Sequence, residues 1–113
     1  MSDCIFCKII DGAIPAPKLY EDENMIIIKD ISPQAPVHLL LIVKEHYKNL
    51  SALDERRAET LGKCLLTLSC IAEKLGLKGG YRIVSNCGAD ARQSVMHLHI
   101  HVLGGEPLSE TMA

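Results

Sequence analysis

The run His97-Leu98-His99-Ile100-His101-Val102-Leu103 alternates polar and apolar residues without a break. On a strand, successive side chains point to opposite faces, so a period of two predicts a strand. One face then carries three imidazoles, and the other face, Leu98, Ile100 and Val102, enters a core. Packing gives histidine no reason to recur in this way. Imidazole is the side chain whose ordinary pKa lies near neutrality, so a row of them points to proton transfer, nucleophilic attack or metal binding. A polar face wetted by solvent is the plainer alternative. At about 3.3 Å of rise per residue, His97 and His101 stand roughly 13 Å apart at Cα. Metal ligands sit about 2 Å from their ion, so the row is expected to divide its work between sites.

The rest of the chain builds a sheet around this strand. Residues 81–85 read as its partner across the loop 86–96, and 37–43 as a strongly apolar central strand opened by one polar residue, His38. Residues 18–21 and 25–29 read as two strands turning at Asp22-Glu23-Asn24. Pro33 and Pro36 make 30–36 a loop, and Pro15 with Pro17 makes an extended connection. Ser51-Ala52-Leu53-Asp54 has the spacing of a capping box, and a helix is expected to follow to about Leu75, ended by Gly76, Gly79 and Gly80. Its main apolar stripe is Leu61, Cys64, Leu65, Leu68, Ile71, Ala72 and Leu75. A narrower stripe of Gly62, Leu66 and Ser69 reads as a partner surface. A short helix is expected over 4–10, with Asp3 as its N-cap and Gly12 as its stop. Five strands with one long and one short helix predict an α+β fold on an antiparallel sheet.

Length and composition bound the rest. The 113 residues suit one domain, 1–113, large enough to bury a core, and 48% of them are hydrophobic. Twelve Lys and Arg against 14 Asp and Glu leave a formal net charge of −2, which supplies no basic field for nucleic acid. No apolar run reaches membrane-spanning length, and the N-terminal residues lack a secretory apolar stretch. Five cysteines form no even disulfide framework, so a reducing, cytoplasmic location is expected.

The HxHxHxx run of 97–103 resembles the signature of the histidine triad (HIT) superfamily of nucleotide hydrolases and transferases. Three longer stretches, Cys4-Ile-Phe-Cys-Lys-Ile-Ile, Asp30-Ile-Ser-Pro-Gln-Ala-Pro-Val-His38 and Gln93-Ser-Val-Met-His-Leu-His-Ile-His-Val-Leu-Gly-Gly105, are similar to the Hint branch, the purine nucleoside phosphoramidases. The resemblance implies a five-stranded antiparallel sheet that joins a second copy across a two-fold axis into ten strands, and so a homodimer. It implies cleavage of nucleoside 5'-phosphoramidates to the nucleoside monophosphate and an amine, through a nucleotide bound covalently to His99. A dinucleoside polyphosphate hydrolase is the alternative within the superfamily. A nucleotide- or zinc-binding interaction module with little activity is the alternative from another class.

By the same resemblance, His101 contacts the phosphoryl oxygens or protonates the leaving group, and His38 orients the triad. Ser94 donates to the bridging atom and Asn86 to phosphate. Asp30 accepts the ribose hydroxyls beside Ile31, which flanks the base. Read by themselves, His38 also suits a satisfied core histidine, Asp30 a loop cap and Asn86 a turn residue. Gln93 matches the family's phosphate loop. Arg92 departs from it, because the family commonly carries glycine there with its N–H approaching phosphate. If that backbone needs a positive φ, arginine strains it; alternatively its guanidinium clamps phosphate directly.

Cys4-x-x-Cys7 alone is half of a four-ligand site. Some triad proteins complete it with residues that correspond here to His46 and His97, giving a closed, structural Cys2His2 zinc site apart from the chemistry. Free thiols on a surface helix, or a redox pair, are the alternatives. No organic cofactor is expected.

Overall fold

Residues 3–111 of this computed structural model are described. The longest strand, β3 (Val37–Val43), pairs with β2 (Met25–Lys29) on one side and with β5 (His99–Gly104) on the other. The two-residue β1 (Tyr20–Glu21) and β4 (Tyr81–Val84) form the edges, giving an antiparallel sheet in the order β1-β2-β3-β5-β4. The fold expectation holds. Strand 1 is shorter than expected, because Leu19 already leaves the ladder after one bond from its N–H to the Ile27 carbonyl. Ser85 lies just past β4, where its hydroxyl donates to the His99 carbonyl.

Both faces of the central strands are covered, which explains why Met25-Ile-Ile-Ile and Leu39-Leu-Leu-Ile-Val read as apolar runs rather than alternations. On one face Ile27, Leu41, Leu98, Ile100 and Val102 pack under the long helix α2 (Glu55–Ile71), through its Leu61, Cys64 and Leu68. On the other, Ile26, Ile28, Leu40 and Ile42 meet Phe6 and Ile9 of the short helix α1 (Ile5–Ile10). Each Leu or Ile side chain fully buried this way contributes about 1.5–3 kcal/mol. The register sets Leu40 opposite His101 and Ile42 opposite His99, so the two histidines lie on the α1 face.

Three expectations at the helix ends need correction. Cys4, not Asp3, caps α1, its sulfur accepting the Cys7 N–H at 3.4 Å. Asp54, not Ser51, caps α2, its carboxylate accepting the Arg57 N–H at 2.8 Å. Residues Leu50–Ala52 form a separate 3-10 turn, capped by Asn49. The α-helix stops at Ile71 and tightens into a 3-10 turn over Ala72–Leu75, closed by Gly76 in the left-handed region at φ 88°. Glycine is equally demanded at Gly104, where a Cβ would fall 2.8 Å from the Gly80 carbonyl oxygen and 2.7 Å from Leu77 Cδ2.

Gly62, Leu66 and Ser69 face outward from α2, with Leu66 66% exposed. Cys70 is exposed on the same helix, and all five cysteines are free thiols. No helix among the described residues is long and apolar enough to cross a membrane.

Candidate active site and metal centre

The triad strand begins at His99, and His97 sits just before it, fully buried. Its ring nevertheless lies on the α1 side, edge-on to Phe6 at 5.9 Å. The three rings therefore do share a face, and each is fixed by a different partner.

His99 Nδ1 lies 2.8 Å from the His97 carbonyl oxygen. A carbonyl only accepts, so in the neutral ring the proton resides on Nδ1 and Nε2 carries a lone pair. Phe6 holds the ring edge-on, with centroids 5.0 Å apart. His99 is 7% exposed, yet it lines a cavity of about 760 Å³ together with His101, Ser94, Asn86, Asp30 and Ile31. That volume falls within the range of small-ligand sites, roughly 300–1,000 Å³. Much of the remaining wall is apolar, built from Ile14, Pro15, Ala16 and Leu19 of the proline-rich connection and from Val95.

His38 and His101 form a second unit. The Gln34 N–H donates to His38 Nδ1 at 3.0 Å, so His38 carries its proton on Nε2. That proton points at His101 Nδ1, 2.9 Å away. His101 Nδ1 is then an acceptor, and its own N–H is Nε2–H. Burial, followed by the neighbouring His99 and His38, pushes the His101 pKa below its ordinary value, while Asp30 acts in the opposite direction. With both rings neutral, the chain ends in a donor, His101 Nε2–H, beside an acceptor, His99 Nε2. Their ring centroids are 5.3 Å apart.

Asp30 takes a place the sequence did not foretell. Its Oδ1 accepts the Ser32 N–H at 2.7 Å. Its Oδ2 faces the histidine pair, 3.4 Å from His38 Nε2 and 3.8 Å from His101 Nδ1. The loop-cap reading is therefore met by one oxygen, and the other remains at the cavity. Ile31 stands 98% exposed at the mouth.

The loop 86–96 places Asn86 and Ser94 at the cavity, and Gln93 holds that loop from within. Its Oε1 accepts from Asn49 Nδ2 at 3.0 Å and from the Gly88 N–H at 2.9 Å. Its Nε2 donates to the carbonyls of Lys48, at 2.7 Å, and Val95, at 3.0 Å. The side-chain amide of Gln93 is thus spent on the scaffold, and Gln93 is not among the residues that line the cavity. Asn49, its buried partner, was missed because its signal is a pairing 44 residues away. Arg92 is exposed and adopts φ 59°, ψ 41°, the one non-glycine residue with a positive φ among those described.

Four donors converge at the other end of the row. The His97 Nε2–H donates to the Val43 carbonyl at 2.6 Å, which leaves Nδ1 free as a ligand. That Nδ1 lies 3.4 Å from Cys4 Sγ, 3.6 Å from Cys7 Sγ and 3.1 Å from His46 Nδ1, and His46 Nδ1 lies 3.2 Å from Cys7 Sγ. Donors held tetrahedrally at Zn–N of about 2.0 Å and Zn–S of about 2.3 Å stand roughly 3.3–3.8 Å apart. The donor set and its spacing fit a structural zinc ion.

Asp30, His38 and His101 also bring three donor atoms together, but their chemistry does not fit a metal. The Gln34 N–H keeps the proton of His38 on Nε2, the atom that would have to ligate. A proton, not a cation, belongs there.

Comparison with known proteins agrees with this geometry. Residues 3–112 match the family described as the scavenger mRNA decapping enzyme C-terminal binding domain. Protein HitA of Neisseria gonorrhoeae is 45% identical over 104 residues, covering 92% of this chain and 97% of its own. An HIT-like protein of Synechocystis is 47% identical over 107 residues, covering 95% and 94%. The HIT family hydrolase structure from Clostridium thermocellum superposes with a TM-score of 0.93 at 44% identity, over 100% of this chain and 99% of that one. With its alternating histidines on the sheet face opposite the long helix and its relatives matched end to end, this chain belongs to the histidine triad superfamily.

Proposed function

We propose that the chain is a nucleoside phosphoramidase of the Hint type, acting as one HIT domain over residues 1–113. The observation that carries this reading is the His99 tautomer: Nδ1 is committed to a carbonyl, so the free lone pair on Nε2 serves a nucleotide-sized cavity. His99 Nε2 attacks the α-phosphorus, the P–N bond breaks, and the amine departs with a proton. Water then displaces His99 from phosphorus and releases the nucleoside monophosphate. Two easier displacements replace one hard one.

The other residues position charge. The His101 Nε2–H, held by the chain from Gln34 through His38, reaches the phosphoryl oxygens or the leaving group. Ser94 donates to the bridging atom and Asn86 to phosphate. Arg92 brings a cation to the same loop. Asp30 accepts the ribose hydroxyls, and the apolar wall with Ile31 flanks a purine. Cys4, Cys7, His46 and His97 would hold zinc, which ties α1 to the residue just before the triad strand and takes no part in the chemistry. Five free thiols are in keeping with a reducing, cytoplasmic setting.

Two exposed features support a homodimer: the unpaired edge of β4, with Ile83 44% exposed, and the Leu66 stripe of α2. Pairing β4 with its copy would close a ten-stranded sheet and cover both.

The test is a side-by-side rate measurement with an adenosine 5'-phosphoramidate and a diadenosine polyphosphate. A preference for the phosphoramidate, abolished in His99→Ala, is expected. A preference for the polyphosphate would select the other hydrolase, and no turnover of either would select the binding module.

A further inference from the structure

The carboxylate of Asp30 has two surroundings to serve with one free oxygen. Oδ1 is occupied by the Ser32 N–H at 2.7 Å. Oδ2 lies within 3.8 Å of both imidazoles of the His38–His101 pair and also borders the cavity. In the neutral pair, a single proton fills the 2.9 Å gap between His38 Nε2 and His101 Nδ1. A second proton, added when His101 becomes a cation, has no room in that gap. A free acceptor close by is Asp30 Oδ2, 3.8 Å from His101 Nδ1. That oxygen is also the one a ribose diol would take, on the reading of the cavity as a nucleotide site, on which this inference rests.

We infer that nucleoside binding and protonation of the His38–His101 pair compete for the same oxygen, Asp30 Oδ2, so that an arriving ribose discharges a proton from the pair. Below the His101 midpoint the free protein admits the cation on His101, with Asp30 as counter-charge. Bound ribose hydroxyls engage Oδ2, the proton on His101 Nδ1 returns to solvent, and the neutral chain from Gln34 to His101 is restored. The substrate thereby meets an uncharged His101 whose single proton, on Nε2, is aimed at phosphate. Asp30 acts as a positioning residue through His101, in addition to any contact with sugar.

The charged and titratable groups facing His101 are few. His99 lies on its own strand and His38 on β3, and both oppose its protonation, as does burial. Asp30, from the loop after β2, is the one group among the described residues that favours it. Lys29 stands at the cavity wall beside Asp30, on a side chain exposed to solvent. Linkage makes the coupling reciprocal, so a ribose that lowers proton affinity is itself bound better as pH rises.

The experiment follows the imidazole resonances of His101 by NMR from about pH 5 to pH 8, in four samples of the full chain. These are protein alone, protein with adenosine, protein with 2',3'-dideoxyadenosine, and Asp30→Asn alone; the nucleosides carry no phosphate that would itself charge the site. Adenosine should move the His101 midpoint down, dideoxyadenosine should leave it in place, and Asp30→Asn should lower it without any ligand. Adenosine should also lose affinity between about pH 7.5 and pH 5, progressively as pH falls through the His101 midpoint. Equal midpoints with the two bound nucleosides would overturn the competition. A midpoint unmoved by Asp30→Asn would overturn the pairing itself, whatever adenosine does. Adenosine that perturbs no cavity resonance would instead overturn the nucleotide reading, while the Asp30→Asn sample still judges the pairing.

Discussion

Replacing Arg92 by glycine should make the protein more stable and, at the same time, a poorer enzyme. Arg92 sits at φ 59°, ψ 41°, where Cβ crowds the backbone at a cost of about 1–2 kcal/mol. Glycine removes that strain but adds freedom to the unfolded chain, a loss of roughly 0.4–1 kcal/mol. The balance is a gain of about 0.5–1 kcal/mol, or a Tm higher by roughly 4 °C for a domain of this size. Arg92→Ala keeps the strain and removes only the guanidinium, so its stability should match that of the parent. Both variants lose the cation beside Ser94. If it contacts phosphate, a lost charged hydrogen bond of about 1.5 kcal/mol raises KM roughly tenfold in each. Thermal unfolding and steady-state kinetics on the three proteins separate the two effects. Arg92→Gly no more stable than Arg92→Ala would refute the strain argument, and unchanged KM in both would remove Arg92 from the site.

The other expectations concern the scaffold and the metal. Gln93→Ala removes four hydrogen bonds that hold the loop and leaves the buried Asn49 Nδ2 without an acceptor, which should cost about 2–4 kcal/mol in denaturant unfolding and reduce turnover, since Asn86 and Ser94 ride on that loop. Cys7→Ser should lose the roughly one zinc per chain expected for protein prepared without chelator, as read by elemental analysis, and unfold at a lower temperature. Acid should weaken the fold in two windows. The His101 pKa is lowered on folding, so between that value and the ordinary imidazole range the unfolded chain binds more protons and stability falls as pH falls. Glu45 is held at about 2 by Arg56 and, after a desolvation cost, Arg57, so its contribution is complete above the ordinary carboxylate range and disappears as pH falls towards 2. Denaturant midpoints measured between about pH 8 and pH 2 check both, and a profile flat from pH 7 to pH 5 would contradict the first.

Local patterns carried the fold because its elements are locally encoded. The alternation at 97–103, the apolar run of β3 and the stripe Leu61, Cys64, Leu68 each state which face is buried. Cap positions were less legible: Ser51 and Asp54 both suit an N-cap, and only the 3-10 turn at Leu50–Ala52 shows which one starts the helix. The candidate site was legible as a set of residues but not as a circuit. Tautomers depend on partners distant in sequence, such as Val43 for His97 and His38 for His101. Gln93 looks like a ligand-facing polar residue until the carbonyls around it are known, and nothing in the sequence shows that Asp30 also faces two imidazoles.

The most direct test of the account is acid-quenched mass spectrometry of the protein mixed with excess adenosine 5'-phosphoramidate. The account predicts a transient mass increase of one adenylyl group, mapped to the peptide that carries His99 and absent in His99→Ala. Undiminished turnover in His99→Ala, with no adduct in the parent, would contradict it.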